Sequence, residues 1–171
     1  PSSVEEVRAA ARTFDERGRA VRLLPAAPLM HGTSAITALG VLTAGGCVVT
    51  LGSASFDGHE LCRAVQEHRV VQLTIVGDAF ARPILDALRE AAAAGDPYDL
   101  SSLKVVVSSG VMWSKEAKEE LLEWCSATLA DTLGSSEGVG MAASVARRGS
   151  AARTASFTLG EHARVFTEEG R

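Results

Sequence analysis

The fold class is decided by the stretch Leu103-Lys104-Val105-Val106-Val107-Ser108-Ser109-Gly110. Three valines in succession place apolar side chains on both faces of a strand, and small polar residues follow where the strand ends. A strand that is apolar on both faces is typical of a parallel sheet covered by helices on its two sides. Similar runs occur at residues 47–51, 70–76 and 127–133, so we predict four such strands with 103–108 as the third.

The segments between these runs have helical periodicity. Asp57 followed by Glu60 predicts a capping box at the start of the first helix. The second helix is expected over residues 78–94, with Pro83 in its first turn or separating a short turn from the rest. Ser114 is predicted to cap a third helix that buries Ala117, Leu121 and Cys125. Its outer side is expected to hold Lys115, Glu116, Lys118, Glu119, Glu120 and Glu123.

Alternation of strands and helices predicts an α/β fold, with a doubly wound, mainly parallel sheet flanked by helices. We expect one partial domain: a polar N-terminal helix within residues 1–22, the parallel core over 23–147, and a C-terminal strand region over 148–171. Residues 1–18 lack an initiator methionine, and the strand expected near Val165 leads into a turn with nothing after it. Both ends therefore suggest an internal fragment of a longer chain.

Composition excludes several classes of protein. The net charge is −4 and no basic block occurs, so nucleic acid is not an expected partner. An odd number of cysteines without CxxC spacing argues against a disulfide framework or zinc site and favours a reducing, cytoplasmic compartment. Residues 32–55 carry no charge, but the pair Gly45-Gly46 predicts a turn between a helix and a strand. No stable membrane insertion is therefore expected.

Ligands of doubly wound sheets bind at the carboxyl ends of the strands. Here those ends are Val76-Gly77-Asp78, Ser108-Ser109-Gly110 and Gly134-Ser135-Ser136-Glu137-Gly138. In the last of them, hydroxyls and backbone N–H groups could donate to a phosphate, and the carboxylate could hold Mg²⁺. An ordinary strand-to-helix turn with a solvent-facing glutamate explains that segment equally well.

The same five residues match the G-x-S-x-G elbow of serine hydrolases, with Ser136 as nucleophile. That fold requires an acid and then a histidine after the serine. Only His162 follows Ser136, its neighbour Glu161 is badly placed to orient it, and no aspartate follows. A serine hydrolase therefore ranks second, and a non-enzymatic α/β binding domain is the third hypothesis.

Four segments together resemble the adenylate-forming superfamily of acyl-CoA synthetases, luciferases and peptide-synthetase adenylation domains. Pro28-Leu29-Met30-His31-Gly32 resembles that family's Pro-Leu-Phe-His segment, and residues 42–51 resemble its Gly-Gly helix-to-strand run. Ser108-Ser109-Gly110-Val111-Met112 stands where the family has its adenine loop. Leu133-Gly134-Ser135-Ser136-Glu137 is similar to its Tyr-Gly-Ser-Thr-Glu motif. The resemblance covers residues 23–171.

The resemblance implies a ligase that activates a fatty or other apolar acid with ATP and Mg²⁺ and transfers the acyl group to CoA or a carrier-protein thiol. It implies catalytic roles for His31, Ser136 and Glu137, with Glu137 as the metal ligand. The implied nucleotide-binding residues are Ser109, Gly110, Val111, Leu133, Gly134, Ser135 and Ser136. The implied acyl-binding residues are His31, Val76, Gly77 and Gly134.

Departures from the family's pattern limit what the chain is expected to do alone. Leu133 replaces the tyrosine, and Val111-Met112 replaces Ala-Pro. The family's phosphate loop, ribose-binding aspartate and C-terminal lid lysine have no counterpart in these residues. Losing about three charge-assisted hydrogen bonds would weaken ATP binding on the order of 10³-fold or more. We therefore predict that this polypeptide by itself is inactive.

Overall fold

The computed structural model describes residues 3–16, 20–135, 140–161, 163–166 and 168, and all structural statements concern these residues. Its helices are α1 (Val4–Glu16), α2 (Gly32–Thr43), α3 (Gly58–Glu67), α4 (Gly77–Ala93) and α5 (Lys115–Trp124). Its strands are β1 (Arg22–Pro25), β2 (Cys47–Val48), β3 (Gln72–Ile75), β4 (Val105–Ser109), β5 (Thr128–Leu133), β6 (Ala142–Ala146) and β7 (Thr158–Leu159).

Seven strands form one sheet in the order β2-β1-β3-β4-β5-β6-β7. The strands from β2 to β5 in that order pair in parallel, and β6 and β7 continue the sheet in antiparallel fashion. The predicted fold class, a mainly parallel α/β sheet flanked by helices, is confirmed. The division into residues 1–22, 23–147 and 148–171 stays a prediction.

Helices cover the two faces of the sheet unequally. Leu23 of β1 packs on one face in a small cluster with Ala38 and Val41 of α2. The adjacent Leu24 points to the opposite face and joins the main core with residues of α3, α4 and α5. Beyond α2, the face over β4 and β5 is only partly covered, since Val105 and Val107 are half-buried whereas Val106 is fully buried. This leaves room for a cleft beside α2.

Several strands differ from the prediction. Three strands were missed: β1, β6 and β7, which are four, five and two residues long. β1 occupies an interior position of the sheet although it ends at Pro25, because its pairing with β2 involves only Arg22 and Leu23, so the proline, which has no N–H to donate, lies beyond that ladder. The strand expected near Val165 is wrong, since residues 163–166 form no regular element, and the last strand in the described part of the chain is β7.

Two predictions about helices are also wrong. Helix α4 is continuous from Gly77, so Pro83 lies inside it rather than in its first turn. Asp57 caps α3 as expected and accepts from the His59 N–H at 2.8 Å. Glu60 does not complete a capping box, because its Oε1 accepts from the Gly52 N–H at 2.7 Å and so fastens the preceding loop.

The position of Lys118 also differs from the prediction. It was expected on the solvent-exposed side of its helix, but it is 2% exposed and lies among the buried residues of α5. Its ammonium forms an ion pair with Asp131 of β5, with 2.8 Å between Nζ and Oδ2. The predicted buried face of Ala117, Leu121 and Cys125 is confirmed, and so is the cap, in which the Ala117 N–H donates to Ser114 Oγ at 3.3 Å.

The uncharged stretch beginning at Gly32 folds as predicted. Helix α2 ends at Thr43, Gly45 takes a left-handed conformation with φ +78°, and β2 starts at Cys47. A side chain at Gly45 would also collide with Ala11 of α1, so the turn suits glycine on two grounds. Across the described residues, every helix is too short or too polar to cross a membrane.

Candidate functional site

A cleft of about 390 Å³ opens between the start of α2 and the carboxyl ends of β4 and β5. Its position is the one at which open α/β sheets bind ligands. The lining residues are His31, Gly32, Thr33, Ile36, Thr37, Val107, Ser109, Gly110, Thr132, Gly134, Ser135 and Gly140.

Five residues that the sequence predicted for the site line this one cleft. They are His31, Ser109, Gly110, Gly134 and Ser135. They come from the β1–α2 turn, the end of β4 and the end of β5, which are far apart along the chain. His31 stands at the N-cap of α2 with extended backbone, and its side chain makes no capping hydrogen bond there. The structure therefore brings three of the separate motifs to one place.

Four other predicted residues lie outside the lining. Val111 and Leu133 are about half exposed at the rim of the strand ends. Val76 and Gly77 form the β3–α4 turn, which packs behind the β4–α5 loop. Their predicted roles in holding adenine and the acyl group stay predictions.

Ser136 and Glu137 lie outside the described residues, so the proposed phosphate contact and Mg²⁺ ligand have no structural description. Within the described part of the chain, no group of three or more His, Cys, Asp or Glu side chains could hold a metal ion. The Mg²⁺ assignment therefore rests on the sequence motif alone.

Sequence reasoning missed seven lining residues: Gly32, Thr33, Ile36, Thr37, Val107, Thr132 and Gly140. Two simple periodicities could have found three of them. Thr33 and Thr37 are four residues apart and share a helical face with the N-terminal turn of α2. Val107 is two positions before Ser109, so both side chains point to the same face of β4.

Hydrogen bonds between the β3–α4 turn and the end of β4 with the loop that follows it support the cleft. The Gly77 N–H donates to the buried hydroxyl of Ser108 at 2.9 Å, and the Asp78 N–H donates to the Met112 carbonyl at 3.1 Å. Asp78 Oδ1 accepts from both the backbone N–H and the hydroxyl of Ser114, at 2.8 and 3.0 Å. The β3–α4 turn thereby fastens the whole β4–α5 loop, which carries Ser109 and Gly110 into the cleft.

Asp78 is expected to make the fold sensitive to acid. Burial alone would raise the pKa of its carboxyl, but hydrogen bonds from Ser114 and Arg82 outweigh burial, so the pKa lies below its ordinary value. A carboxyl with a lowered folded-state pKa stabilises the fold above its unfolded pKa, and that stabilisation is lost as the pH falls through the folded pKa. Asp78→Asn should cost about 2 kcal/mol of unfolding free energy at neutral pH and progressively less in acid.

Urea unfolding of both proteins across the acid range measures this difference. The exposed carboxylate of Asp86, which pairs with Arg89 on the outside of α4, provides the control substitution Asp86→Asn. If the difference in unfolding free energy between wild type and Asp78→Asn stayed constant with pH, the lowered pKa assigned to Asp78 would be contradicted.

The lining of the cleft is rich in hydroxyl groups and partly apolar. Hydroxyls come from Thr33, Thr37, Ser109, Thr132 and Ser135, and Ile36 with Val107 adds an aliphatic wall. No lysine or arginine lines the described cleft, so an anion there would be held by hydroxyl and backbone N–H donors. Glycines at residues 110 and 134 allow a flat ring to approach the backbone closely.

A mainly parallel sheet with a cleft at its strand ends defines an α/β protein of the class that binds ligands at that edge. The model of the AMP-binding enzyme family matches residues 2–166. The chain therefore belongs to that family. This match supports neither the serine hydrolase nor the non-enzymatic binding domain.

Curated relatives are named as CoA ligases. A medium/long-chain-fatty-acid–CoA/3-oxocholest-4-en-26-oate–CoA ligase of Mycolicibacterium smegmatis is 35% identical over 148 residues, which cover 85% of this chain and 26% of the relative. A 3-oxocholest-4-en-26-oate–CoA ligase of Rhodococcus rhodochrous is 38% identical over 124 residues, covering 69% and 22%. The chain thus spans about a quarter of the length of these relatives.

Solved structures agree on the fold. The putative long-chain-fatty-acid CoA ligase of Rhodopseudomonas palustris CGA009 aligns with a TM-score of 0.58 and 26% identity, over 81% of this chain and 33% of that one. The N-terminal subdomain of Klebsiella oxytoca NpsA in complex with 3-hydroxybenzoyl-AMSN aligns with a TM-score of 0.60, over 74% and 30%. At 19% identity, the second likeness concerns the fold alone.

Proposed function

We propose that this chain forms the central part of an ATP-dependent, AMP-forming acyl-CoA synthetase. The observation that carries the proposal is the convergence of His31, the Ser109-Gly110 loop and the Gly134-Ser135 segment on one cleft at the strand ends. In the proposed reaction a carboxylate attacks the α-phosphate of ATP, which forms an acyl-adenylate and releases pyrophosphate. A thiol then attacks the acyl carbon and releases AMP.

Each cleft residue has a proposed role in that reaction. Ser109 and Gly110 flank the adenine, whose flat ring fits against a backbone with little side chain. Gly134 and Ser135 are proposed to lie beside the phosphates, two to three residues before Glu137 in the chain. His31 lines the same cleft from the N-cap of α2, and its proposed place is between the nucleotide and the acyl group. Catalysis would come mainly from positioning the reactants and neutralising charge.

The proposal assigns Mg²⁺ and the phosphate to the segment after Ser135. Glu137 is proposed as the Mg²⁺ ligand and Ser136 as a phosphate contact, since carboxylate and hydroxyl oxygens are the donors that Mg²⁺ and phosphate prefer. The chemistry that Mg²⁺ would supply is neutralisation of charge on the phosphates. The described lining has no lysine or arginine to do this.

The proposed substrate is an apolar carboxylic acid. Ile36 and Val107 form an aliphatic wall, and no charged side chain among the described lining residues could pair with an amino acid's ammonium group. The names of the curated relatives, which refer to fatty acids and a steroid acid, agree with this chemistry. CoA is the proposed acceptor, a carrier-protein thiol being the alternative, and the proposed setting is the cytoplasm without nucleic-acid partners.

Glu137→Ala is expected to lower the rate of acyl-CoA formation by about 10²-fold or more, because the Mg²⁺ that screens the phosphates would lose its carboxylate ligand. The assay follows AMP and acyl-CoA from ATP, CoA and a fatty acid, in a polypeptide that carries this segment at the length of its relatives. Glu119→Ala removes an exposed carboxylate of α5 and serves as the control. The 171-residue chain alone should form no AMP, and an unchanged rate in Glu137→Ala would refute the Mg²⁺ assignment.

A further inference from the structure

Four buried polar side chains gather behind the cleft, on the face of the sheet opposite to it. They are Ser108, Ser114, Lys118 and Asp131, each less than a tenth exposed. The core below them is aliphatic and aromatic. Ser108 and Ser114 anchor the β4–α5 loop, as described above. Lys118 and Asp131 form an ion pair that none of the proposed catalytic steps uses.

The Lys118 ammonium joins three segments of the chain. Its Nζ donates to Asp131 Oδ2 at 2.8 Å and to the Arg153 carbonyl at 3.0 Å. It also lies 5.4 Å from the ring centroid of the fully buried Trp113, which is within the range of a cation–π contact. The lysine thus connects the end of the β4–α5 loop, the strand β5 and the segment after β6.

Two of these segments continue directly into the cleft. Asp131 is followed by Thr132, which lines the cleft from the other face of β5, because successive side chains of a strand alternate between faces. Thr132 Oγ1 donates to the Ser108 carbonyl at 3.1 Å and so ties the end of β5 to the end of β4. Trp113 closes the loop that begins with Gly110.

A buried ion pair is a poor way to gain stability. Removing two charges from water costs more than their attraction often returns, and well-packed apolar residues of similar size are frequently as stable or more so. The presence of an ion pair here is better explained by the geometry that it imposes on its neighbours than by a gain in stability, since charge-assisted hydrogen bonds have strict distances and directions.

We infer that Lys118 and Asp131 are positioning residues that set the backbone of the Gly110–Trp113 loop and of the β5 end for the adenylate. The inference rests on the proposed function, since it takes the ligand to be an acyl-adenylate. Neither side chain touches the ligand. They act through Trp113 and Thr132, holding the two walls of the cleft at a fixed separation.

The double variant Lys118→Met/Asp131→Leu separates positioning from stability, because it replaces the pair by apolar groups of similar size. Its control is Lys115→Met/Glu119→Leu, which removes an exposed pair from the same helix, with 3.7 Å between Nζ and Oε1. Both proteins should unfold at urea midpoints close to that of wild type or higher. In ¹H–¹⁵N spectra, the amides of Ser109, Gly110, Gly134 and Ser135 should shift in the buried-pair variant only.

The ligand probe is an acyl-sulfamoyl adenosine, a stable analogue of the acyl-adenylate, titrated by calorimetry into a polypeptide that carries this segment at the length of its relatives. The buried-pair variant should bind it about tenfold to a hundredfold more weakly than wild type, and the control variant should bind it equally well. Unshifted cleft amides, or shifted amides with unchanged affinity, would overturn the inference. If wild type itself fails to bind the analogue, the proposed ligand is wrong for this chain, and the amide shifts alone decide whether the pair positions the cleft.

Discussion

Lys118→Met alone is expected to lower the free energy of unfolding by about 3–5 kcal/mol, the largest effect among the substitutions considered. The reason is the carboxylate that it leaves behind. Asp131 is 4% exposed, and its charge partner is the Lys118 ammonium, which donates to Oδ2 at 2.8 Å. Without the ammonium, a charged group stays buried with no counter-charge, or takes up a proton at a cost in free energy.

Reversible urea unfolding of four proteins tests this expectation. Wild type, Lys118→Met, Asp131→Leu and the double variant form a cycle in which each single change leaves one buried charge unpaired. The double variant should recover most of the loss, because it leaves no charge behind. If Lys118→Met is as stable as wild type, or if the two single losses simply add in the double variant, the pair is not coupled as the 2.8 Å contact implies.

Gly77→Ala is expected to have the second largest effect, a loss of about 2–5 kcal/mol. Two costs add at this position. Gly77 has φ +51°, a left-handed conformation that costs a residue with a Cβ about 1–2 kcal/mol. A Cβ there would also collide with the Met112 carbonyl and stand 2.7 Å from the Val111 carbonyl, and such overpacking costs about 1–3 kcal/mol.

Gly95→Ala is the matched control for the first of these costs. Gly95 ends α4 with φ +79°, and a Cβ there would meet nothing within 4 Å. Its substitution should therefore show the conformational cost alone, about 1–2 kcal/mol. Chemical denaturation of both variants gives the difference between their free energies of unfolding. Equal losses would show that the β4–α5 loop moves aside freely, which would contradict the close packing of the two turns.

Local pattern was enough to predict the parallel core of the sheet and the four lining residues at its strand ends. The run from Val105 to Val107 requires cover on both faces, and parallel strands bring their carboxyl ends to one edge. This rule alone places Ser109, Gly110, Gly134 and Ser135 together, as the structure confirms. His31 was predicted for the same site only through the resemblance of its motif, because its position in the chain does not indicate which strand ends it lies beside.

The errors have physical causes that act between distant segments. The short β1 was missed because four residues ending in proline show too little alternation or apolar run to predict a strand. In the structure it is an interior strand, since it pairs on both edges. Pro83 was assigned to the first turn because proline lacks an N–H, but α4 continues through it. Its carbonyl lies so close to Gly58 that only glycine fits there, and this contact with α3 adds to the packing of that part of α4.

The sequence by itself determined the alternation of strands and helices, the edge of the sheet at which ligands bind, and the chemistry of the segments that end there. These follow from periodicity and from the preferences of single residues, which are local. Only the tertiary structure decided that Lys118 is buried and that Asp131 is its partner. Lys118 precedes the buried Leu121 and Leu122 by three and four residues and so shares their face of the helix, but a lysine is rarely buried without a partner for its charge. That partner, the Asp131 carboxylate, lies 13 residues away on a strand behind the cleft, where no local pattern reveals it.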